Sequence, residues 1–162
     1  MKWAKWICVA AAVGIWGGLS CAPSPIYNDY AGETFGMKIT PKHTWKAAGT
    51  LTNSPAAIDG NLVTVARSDN YQAAAELTVD LQGNCVFKSV IIDHGQSQHG
   101  FARKVRIATS VDGKVFVNRY TAHGTRRVTH LLLPKPVLAR HVRIQVITPG
   151  ERGWAVAEVY VQ

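Results

Sequence analysis

The stretch ELTVDLQGNCVFKSVIID, residues Glu76–Asp93, decides the fold of this chain. Its first half places Leu77, Val79 and Leu81 between polar residues, which is the pattern of a strand with one buried face. The residues QGN that follow are typical of a turn, and the β-branched run CVFKSVIID favours a more deeply buried strand. The stretch therefore predicts two β-strands joined by a turn.

Similar patterns continue from this stretch to the C-terminus. Segments 104–110 and 114–120 flank an Asp-Gly turn, which is a strong hairpin signal because these residues tolerate positive φ. Segments 126–133 and 140–147 are separated by PKPVLA, whose two prolines forbid a continuous ladder of hydrogen bonds. Residues 154–162 alternate in polarity again, and the sequence after the N-terminal region contains no convincing amphipathic helix. These many short strands predict an all-β, antiparallel sandwich or barrel.

The N-terminus differs from the rest of the chain. With 162 residues, 47% of them hydrophobic and 17% charged, the sequence fits one globular domain. At its start, Lys2 and Lys5 precede a charge-free segment that is shorter than the roughly 20 residues of a membrane span. We interpret residues 1–20 as a signal peptide for export, with an uncleaved N-terminal anchor as the alternative. Residues 21–44 then form a tether and leading segment, and residues 45–162 form the β-domain.

Cys21 is a candidate site of lipid attachment. The residues GLSC resemble the lipobox of bacterial lipoproteins, although Leu19 stands one place nearer to the cysteine than usual. This interpretation predicts a lipid anchor in the bacterial cell envelope. The alternative is a conventional signal peptide, which leaves open a disulfide between Cys21 and Cys85.

The net charge of +8 limits the classes of partner that are expected for the chain. An exported basic domain meets anionic polysaccharide, lipid headgroups or acidic proteins rather than nucleic acid. A solvated basic face without a particular partner is the alternative, so charge alone does not identify the ligand.

Five motifs in order carry a resemblance to a known family. They are AAIDGNLVT (56–64), ELTVDLQG (76–83), IATSVDGKVF (107–116), ARHVRI (139–144) and WAVAEVYV (154–161). Together they resemble a discoidin domain, the C-type domain of coagulation factors, within the galactose-binding-like superfamily. The resemblance covers about residues 45–162 and implies a jelly roll of about eight strands in two packed sheets.

The resemblance also implies a metal site. Many relatives hold a structural calcium ion with the loop that corresponds to DGNLVT and a glutamate of the final strand. The matching residues are Asp59, Asn61, Thr64 and Glu158, and such oxygen ligands suit Ca²⁺. Asn61 stands where an aspartate is more usual, which lowers the expected affinity. The alternative is a metal-free turn in which Asp59 accepts backbone N–H groups, and under both interpretations the loop is structural.

For a ligand, the resemblance implies carbohydrate bound by loops at one end of the sandwich. Polar candidates lie in three matching loops, and arginine offers a rigid fork of donors for hydroxyl or carboxylate groups. The candidates are Asn70, His99, Arg103 and Arg152 for polar contacts and Tyr71 and Trp154 for stacking. In the alternatives, Arg103 pairs on the surface and Trp154 belongs to the core. Ala66 and Glu76 also replace aromatic residues of the family pattern, so the binding specificity need not be inherited.

Catalysis finds little support in the sequence. The motifs of serine hydrolases, zinc proteases and phosphate-binding loops are absent, and the ten acidic residues form no recognisable catalytic pair. We therefore predict a protein that is not an enzyme. Two functions stay open: a membrane-tethered module that binds carbohydrate, and a structural or adaptor subunit that docks onto another envelope protein.

Overall fold

Alternating polarity produces β-strands through most of the chain that the structure describes. The structure is a computed structural model, and it describes residues 38–69 and 74–162. Within them lie eight strands: β1 Lys46–Gly49, β2 Ala66–Arg67, β3 Glu76–Asp93, β4 Lys104–Ser110, β5 Val117–His123, β6 Val128–Thr148, β7 Ala155–Val156 and β8 Glu158–Val161. Two short 3₁₀ helices, Lys42–Thr44 and Ser54–Ile58, complete the regular structure.

Strands β3 and β6 form the central antiparallel ribbon, and each is longer than the sequence suggested. The predicted turn at residues 82–84 is a bulge inside β3, where the register shifts between Asp80 and Cys85 and Gln82 adopts a φ of 63°. The prolines of PKPVLA lie inside β6 at a second shift, where Phe87 pairs with Val137 and Ser89 with Leu132. The prediction of separate strands was therefore wrong: bulges absorb the turn residues and prolines, and both strands continue.

The strands build the predicted antiparallel β-sandwich. The larger sheet has the order β1-β3-β6-β4-β5, and β8 pairs with the second half of β3. Strands β2 and β7 form a separate two-stranded sheet. Strands β1 and β4 pair with one half of the β3–β6 ribbon, and β8 pairs with the other half. The bulged ribbon therefore connects these two groups of strands. This arrangement confirms the predicted all-β jelly-roll class.

The core contains the residues that the alternating pattern assigns to one face. Leu77, Val79 and Leu81 are each 0% exposed, and burial of such side chains contributes about 1.5–3 kcal/mol each. Ala66, which stands in the place of a family tryptophan, is also fully buried. Glu76 lies at an intermediate position, where its carboxylate accepts a hydrogen bond from Gln145 Nε2 at 3.2 Å.

The packed domain begins before residue 45, where the sequence placed its boundary. The indole Nε1 of buried Trp45 donates to the carbonyl oxygen of Thr40 at 3.0 Å. The Thr40 hydroxyl in turn donates to the carbonyl oxygen of Leu81 in β3. The end of the predicted tether, residues 40–44, is therefore attached to the sandwich.

Several predicted features lie outside the described residues. They are the signal peptide, Cys21, Asn70 and Tyr71, so the lipid anchor and the Cys21–Cys85 alternative stay predictions. Cys85 itself is fully buried in the core. In the described part of the chain, no helix combines the length and hydrophobicity needed to cross a membrane.

Candidate functional site

A surface depression lies where the chain segment after β3 meets the segment before β7. Its volume is about 270 Å³. The residues around it come from β2, from the turn after β3 and from the turn before β7. They are Arg67, Gln96, Ser97, Gln98, His99, Gly100, Arg152 and Gly153, and we call this depression the arginine pocket.

The backbone beneath the arginine pocket is closely packed. The Ser68 N–H donates to the Trp154 carbonyl oxygen at 2.8 Å, and the Trp154 N–H donates to the Ser68 hydroxyl oxygen at 2.8 Å. A Cβ atom on Gly153 would lie 2.5 Å from the Ser68 carbonyl oxygen, a distance that real Cβ contacts do not reach. Glycine at position 153 therefore allows the two segments to approach each other.

His94 anchors the turn that carries most of the pocket residues. The Ser97 N–H donates to the His94 carbonyl oxygen at 2.9 Å. The buried imidazole lies with Nδ1 2.6 Å from the Ala155 carbonyl oxygen and Nε2 3.1 Å from the Thr129 hydroxyl. Because a carbonyl only accepts, Nδ1 is the donor to Ala155. Burial lowers the pKa of His94, while the Ala155 carbonyl and the nearby charge of Asp93 act to raise it.

Two arginine side chains make the arginine pocket rich in hydrogen-bond donors. Arg67 Nη2 donates to the Ser97 hydroxyl at 2.9 Å, and residues 38–69 and 74–162 supply no other hydrogen-bond acceptor to its guanidinium. Arg152 and His99 are exposed at the same depression. Within the described residues no aspartate or glutamate lines this pocket. The arrangement suits a ligand rich in hydroxyl or carboxylate oxygens.

The structure does not bring the predicted ligand-binding residues that it describes into one site. His99 and Arg152 meet in the arginine pocket. Arg103 lines a second depression, beside Phe101 and His123, and its Nη2 lies 2.9 Å from Glu151 Oε1 in an exposed ion pair. Asn70 and Tyr71 lie outside the described residues.

The predicted stacking role of Trp154 was wrong. Its side chain is 3% exposed and packs in the hydrophobic core, so neither face of the indole is available to a ligand. The β2–β7 pairing places the adjacent Ala155 opposite Arg67 and turns the tryptophan inward. Its Nε1 is buried without a hydrogen-bond partner among the described residues.

Sequence reasoning missed four pocket residues: Arg67, Gln96, Ser97 and Gln98. The signal was present in the polar run QSQH directly after a buried strand. Arg67 lies at the start of one of the three loops to which the resemblance points, and the pairing of β2 with β7 brings it to the pocket.

The loop predicted to hold calcium is closed by its own hydrogen bonds. Asp59 Oδ1 accepts from the Asn61 N–H at 2.9 Å, and Asp59 Oδ2 accepts from the Thr64 hydroxyl at 2.7 Å. Asn61 Oδ1 accepts from the Val63 N–H at 3.0 Å. These bonds form the Asx-type turn that the sequence left open as the alternative.

Glu158, the fourth predicted ligand, is paired with a lysine. Lys42 Nζ lies 2.8 Å from Glu158 Oε1, and the Glu158 side chain is only 1% exposed. Burial raises the pKa of Glu158, while the Lys42 ammonium and the Gly60 N–H act to lower it. Among the described residues, no group of three or more histidine, cysteine or acidic side chains is placed to hold a metal. As arranged, the donor set does not fit a divalent cation, and calcium binding stays a prediction.

Comparison of the sequence with family models places most of the chain in a known domain family. The model of the F5/8 type C domain matches residues 38–159, which is most of the chain. The match begins ahead of Trp45, in agreement with the attachment of residues 40–44 to the sandwich. No curated protein sequence matched the chain.

Solved structures with a similar fold include several carbohydrate-binding modules. CpGH89CBM32-5 of Clostridium perfringens, in complex with GalNAc-β-1,3-galactose, has a TM-score of 0.68 at 18% identity and covers 75% of this chain and 96% of that one. The family 32 module of NanJ from C. perfringens, in complex with galactose, has a TM-score of 0.64 at 23% identity. It covers 75% of this chain and 95% of its own. Chitosan-binding module 1 of a chitosanase/glucanase from Paenibacillus sp. IK-5 has a TM-score of 0.61 at 20% identity. It covers 74% of this chain and 93% of its own. At these identities the likeness establishes the shared fold.

Proposed function

The chain belongs to the F5/8 type C domain family, and on that premise we propose that it is a non-catalytic carbohydrate-binding module of the bacterial cell envelope. The arginine pocket is the proposed binding site. The observation that carries this proposal is the convergence of Arg67, His99 and Arg152 on one depression without a lining carboxylate among the described residues. The sugar complexes of the structural neighbours support the ligand class.

The size and chemistry of the arginine pocket favour one sugar residue as its occupant. A volume of about 270 Å³ lies just below the range of ligand pockets, which begins at about 300 Å³. Two guanidinium groups present planar, paired N–H donors, and these match a carboxylate better than a single hydroxyl. We therefore expect a sugar with a carboxylate to bind more tightly than its neutral counterpart.

A binding measurement with matched sugars tests this function. Isothermal titration with D-galacturonic acid and D-galactose compares two ligands that differ in one carboxylate. Arg152→Ala should weaken binding of the acidic sugar roughly tenfold or more, since a hydrogen bond to a charged group contributes about 1.5–3 kcal/mol. Arg126→Ala, an exposed arginine outside the pocket, is the matched control and should bind like the wild type.

Two outcomes would contradict the proposed site. An equal loss of affinity for the acidic sugar in the Arg152 and Arg126 variants would assign the effect to overall charge rather than to the pocket. Binding on a broader glycan array that survives both Arg67→Ala and Arg152→Ala would place the sugar site elsewhere on the sandwich.

Tethering to a membrane is the second part of the proposal. It is supported by the signal-like residues 1–20 and by the lipobox-like sequence before Cys21. The mature protein should begin at Cys21 and carry added acyl mass, whereas a Cys21→Ser variant should not. Intact mass spectrometry of protein from native membranes measures both features, and an unmodified wild-type mass would contradict the anchor.

An adaptor subunit is the competing function, and one surface favours it. The β4–β5 hairpin exposes Val111, Val115 and Val117 by 51%, 70% and 47%, at the end of the larger sheet where β5 pairs only with β4 in the described order. Exposed apolar side chains at a sheet edge are suited to a protein partner. Recovery of one stoichiometric membrane protein by the wild type and Arg152→Ala, but not by Val115→Ser, would support this function.

A further inference from the structure

The Lys42–Glu158 pair is buried to an unusual degree for two formal charges. Both Lys42 Nζ and Glu158 Oε1 are inaccessible to solvent, and the two atoms lie 2.8 Å apart as an ion pair. Removal of charges from water is costly unless each is compensated, and a buried charge that loses its partner is strongly destabilising. The ammonium and the carboxylate therefore depend on each other.

A second contact holds the ammonium. Lys42 Nζ lies 4.1 Å from the centroid of the Tyr160 ring, within the range of a cation–π interaction. Glu158 and Tyr160 project from alternate positions of the same strand, β8, so they present a carboxylate and an aromatic face side by side. Together they form a site for a cation.

The backbone delivers Lys42 to this site. Pro41 precedes the 3₁₀ helix Lys42–Thr44, whose ends are closed by Thr44 N–H to Pro41 carbonyl at 2.9 Å and Trp45 N–H to Lys42 carbonyl at 3.0 Å. Trp45 anchors the segment in the core at 7% exposure. The position of the lysine is thus set by packing rather than by the ion pair alone.

The same site borders the Asp59–Thr64 loop. The Gly60 N–H and the Asp59 carboxylate both act on the Glu158 carboxyl, the first as a hydrogen-bond donor and the second as a like charge. Glu158 thus connects β8 to the loop, and the Lys42 ammonium offsets part of the combined negative charge of Asp59 and Glu158.

We propose that the Lys42 ammonium is the built-in cation of the Asp59–Thr64 loop, in place of the calcium ion that the family resemblance implies. A divalent cation bound to Glu158 would require oxygen ligands at about 2.3–2.6 Å, and would then lie beside an ammonium that is 2.8 Å from the same carboxylate. Repulsion between the two cations excludes joint occupancy. The protein as it stands is therefore indifferent to calcium, and loss of the ammonium uncovers a divalent-cation site.

Thermal unfolding of the purified protein in CaCl₂ and in EDTA tests this proposal. The wild type should give the same Tm in both. Lys42→Met keeps the aliphatic stem but removes the charge, so its Tm should fall in EDTA and rise again in CaCl₂, with calcium binding detected by isothermal titration. Lys42→Arg should keep the wild-type indifference, and Lys46→Met, which removes an exposed lysine of β1, should change nothing.

Three results would overturn the proposal. The first is a calcium-dependent Tm or a calcium titration signal in the wild type, a measurement that needs no variant. The second is a Lys42→Met protein with unchanged stability in EDTA. The third is a destabilised Lys42→Met protein that calcium does not restore, with Lys42→Gln as the second variant if the methionine protein does not fold.

Discussion

Two clusters of charged side chains show opposite uses of the same residue types. The arginine pocket gathers exposed cations around a space that no described carboxylate lines. The Lys42–Glu158 cluster instead brings a cation and an anion together under the surface, with Glu158 1% exposed. Charges that are left without a partner at a concave surface are suited to a ligand, whereas charges that neutralise each other inside are suited to holding the fold.

The two clusters are also structural neighbours. A Cβ atom on Gly95 would lie 2.4 Å from the carbonyl oxygen of Leu62, so the turn that carries the pocket residues packs directly against the Asp59–Thr64 loop. Gly95 has a φ of 53°, a left-handed conformation that favours glycine. Loss of the Lys42–Glu158 pair is therefore expected to displace the turn that carries the residues of the arginine pocket.

The largest effect is expected from removal of the buried carboxylate. Glu158→Ala leaves the Lys42 ammonium without its partner and should lower the free energy of unfolding by about 3 kcal/mol. This is the low end for a broken buried pair, because the Lys42 side chain is 25% exposed and can turn toward water. Urea denaturation measures the change. An unchanged midpoint would show that the buried Lys42–Glu158 pair does not stabilise the fold.

Gly153→Ala should have the next largest effect, and it acts on the pocket. Its Cβ would meet the Ser68 carbonyl oxygen at 2.5 Å, so the backbone must shift, at a cost of about 2 kcal/mol. Sugar binding should weaken together with stability. Gly83→Ala is the matched control, since its Cβ would meet only a side-chain atom of Thr40 at 3.2 Å. A Gly153 variant as stable as the Gly83 variant would disprove the close packing beneath the pocket.

A pH effect is expected from His94, which anchors the pocket turn from below. Burial holds the pKa of folded His94 below its ordinary value, so the unfolded chain takes up a proton first as the pH falls. The His94 contribution to stability is complete above about pH 6.5 and is lost as the pH falls toward the folded pKa, with a slope of at most about 1.4 kcal/mol per pH unit. Urea denaturation between pH 7.5 and 5 should show a shallower slope for His94→Gln. Identical slopes would mean that His94 does not titrate differently in the folded state.

The smallest effect is expected from the exposed ion pair. Glu151→Ala removes the partner of Arg103, where the two side chains are 58% and 78% exposed, and should change stability by about 0.5 kcal/mol or less. The comparison with Glu158→Ala isolates burial, because both substitutions remove a glutamate at 2.8–2.9 Å from a basic nitrogen. Similar losses in the two variants would contradict the role assigned to burial.

Most strands were predictable because alternation of polarity is a local property. Leu77, Val79 and Leu81 are buried as the pattern requires, and Val105, Ile107 and Thr109 are buried on β4. Strand continuity was less predictable, since residues 82–84 and the two prolines of PKPVLA have turn chemistry but lie in bulges. A bulge forms because the partner strand continues past it, and that partner is not encoded nearby.

The candidate site was predictable only in part, for the same reason. His99 and Arg152 were predictable because they lie in polar loops, and both line the pocket. Trp154 was predicted from the same kind of loop, but it is buried in the core. Arg67 joins the pocket through a strand pairing that no local pattern reveals. The metal prediction took Glu158 from a motif and overlooked Lys42, which belonged to the segment interpreted as a tether.

What the sequence alone determined is the kind of element that each segment forms and the class of fold, because period-two polarity and turn chemistry act over a few residues. What only the tertiary structure decided is which charged side chains meet. Lys42 pairs with Glu158, and Arg67 lines the same depression as His99 and Arg152, although these residues come from segments far apart in the chain. Such meetings depend on strand register and on the depth of burial, and burial sets whether a charge must be neutralised by the protein or stays available to a ligand.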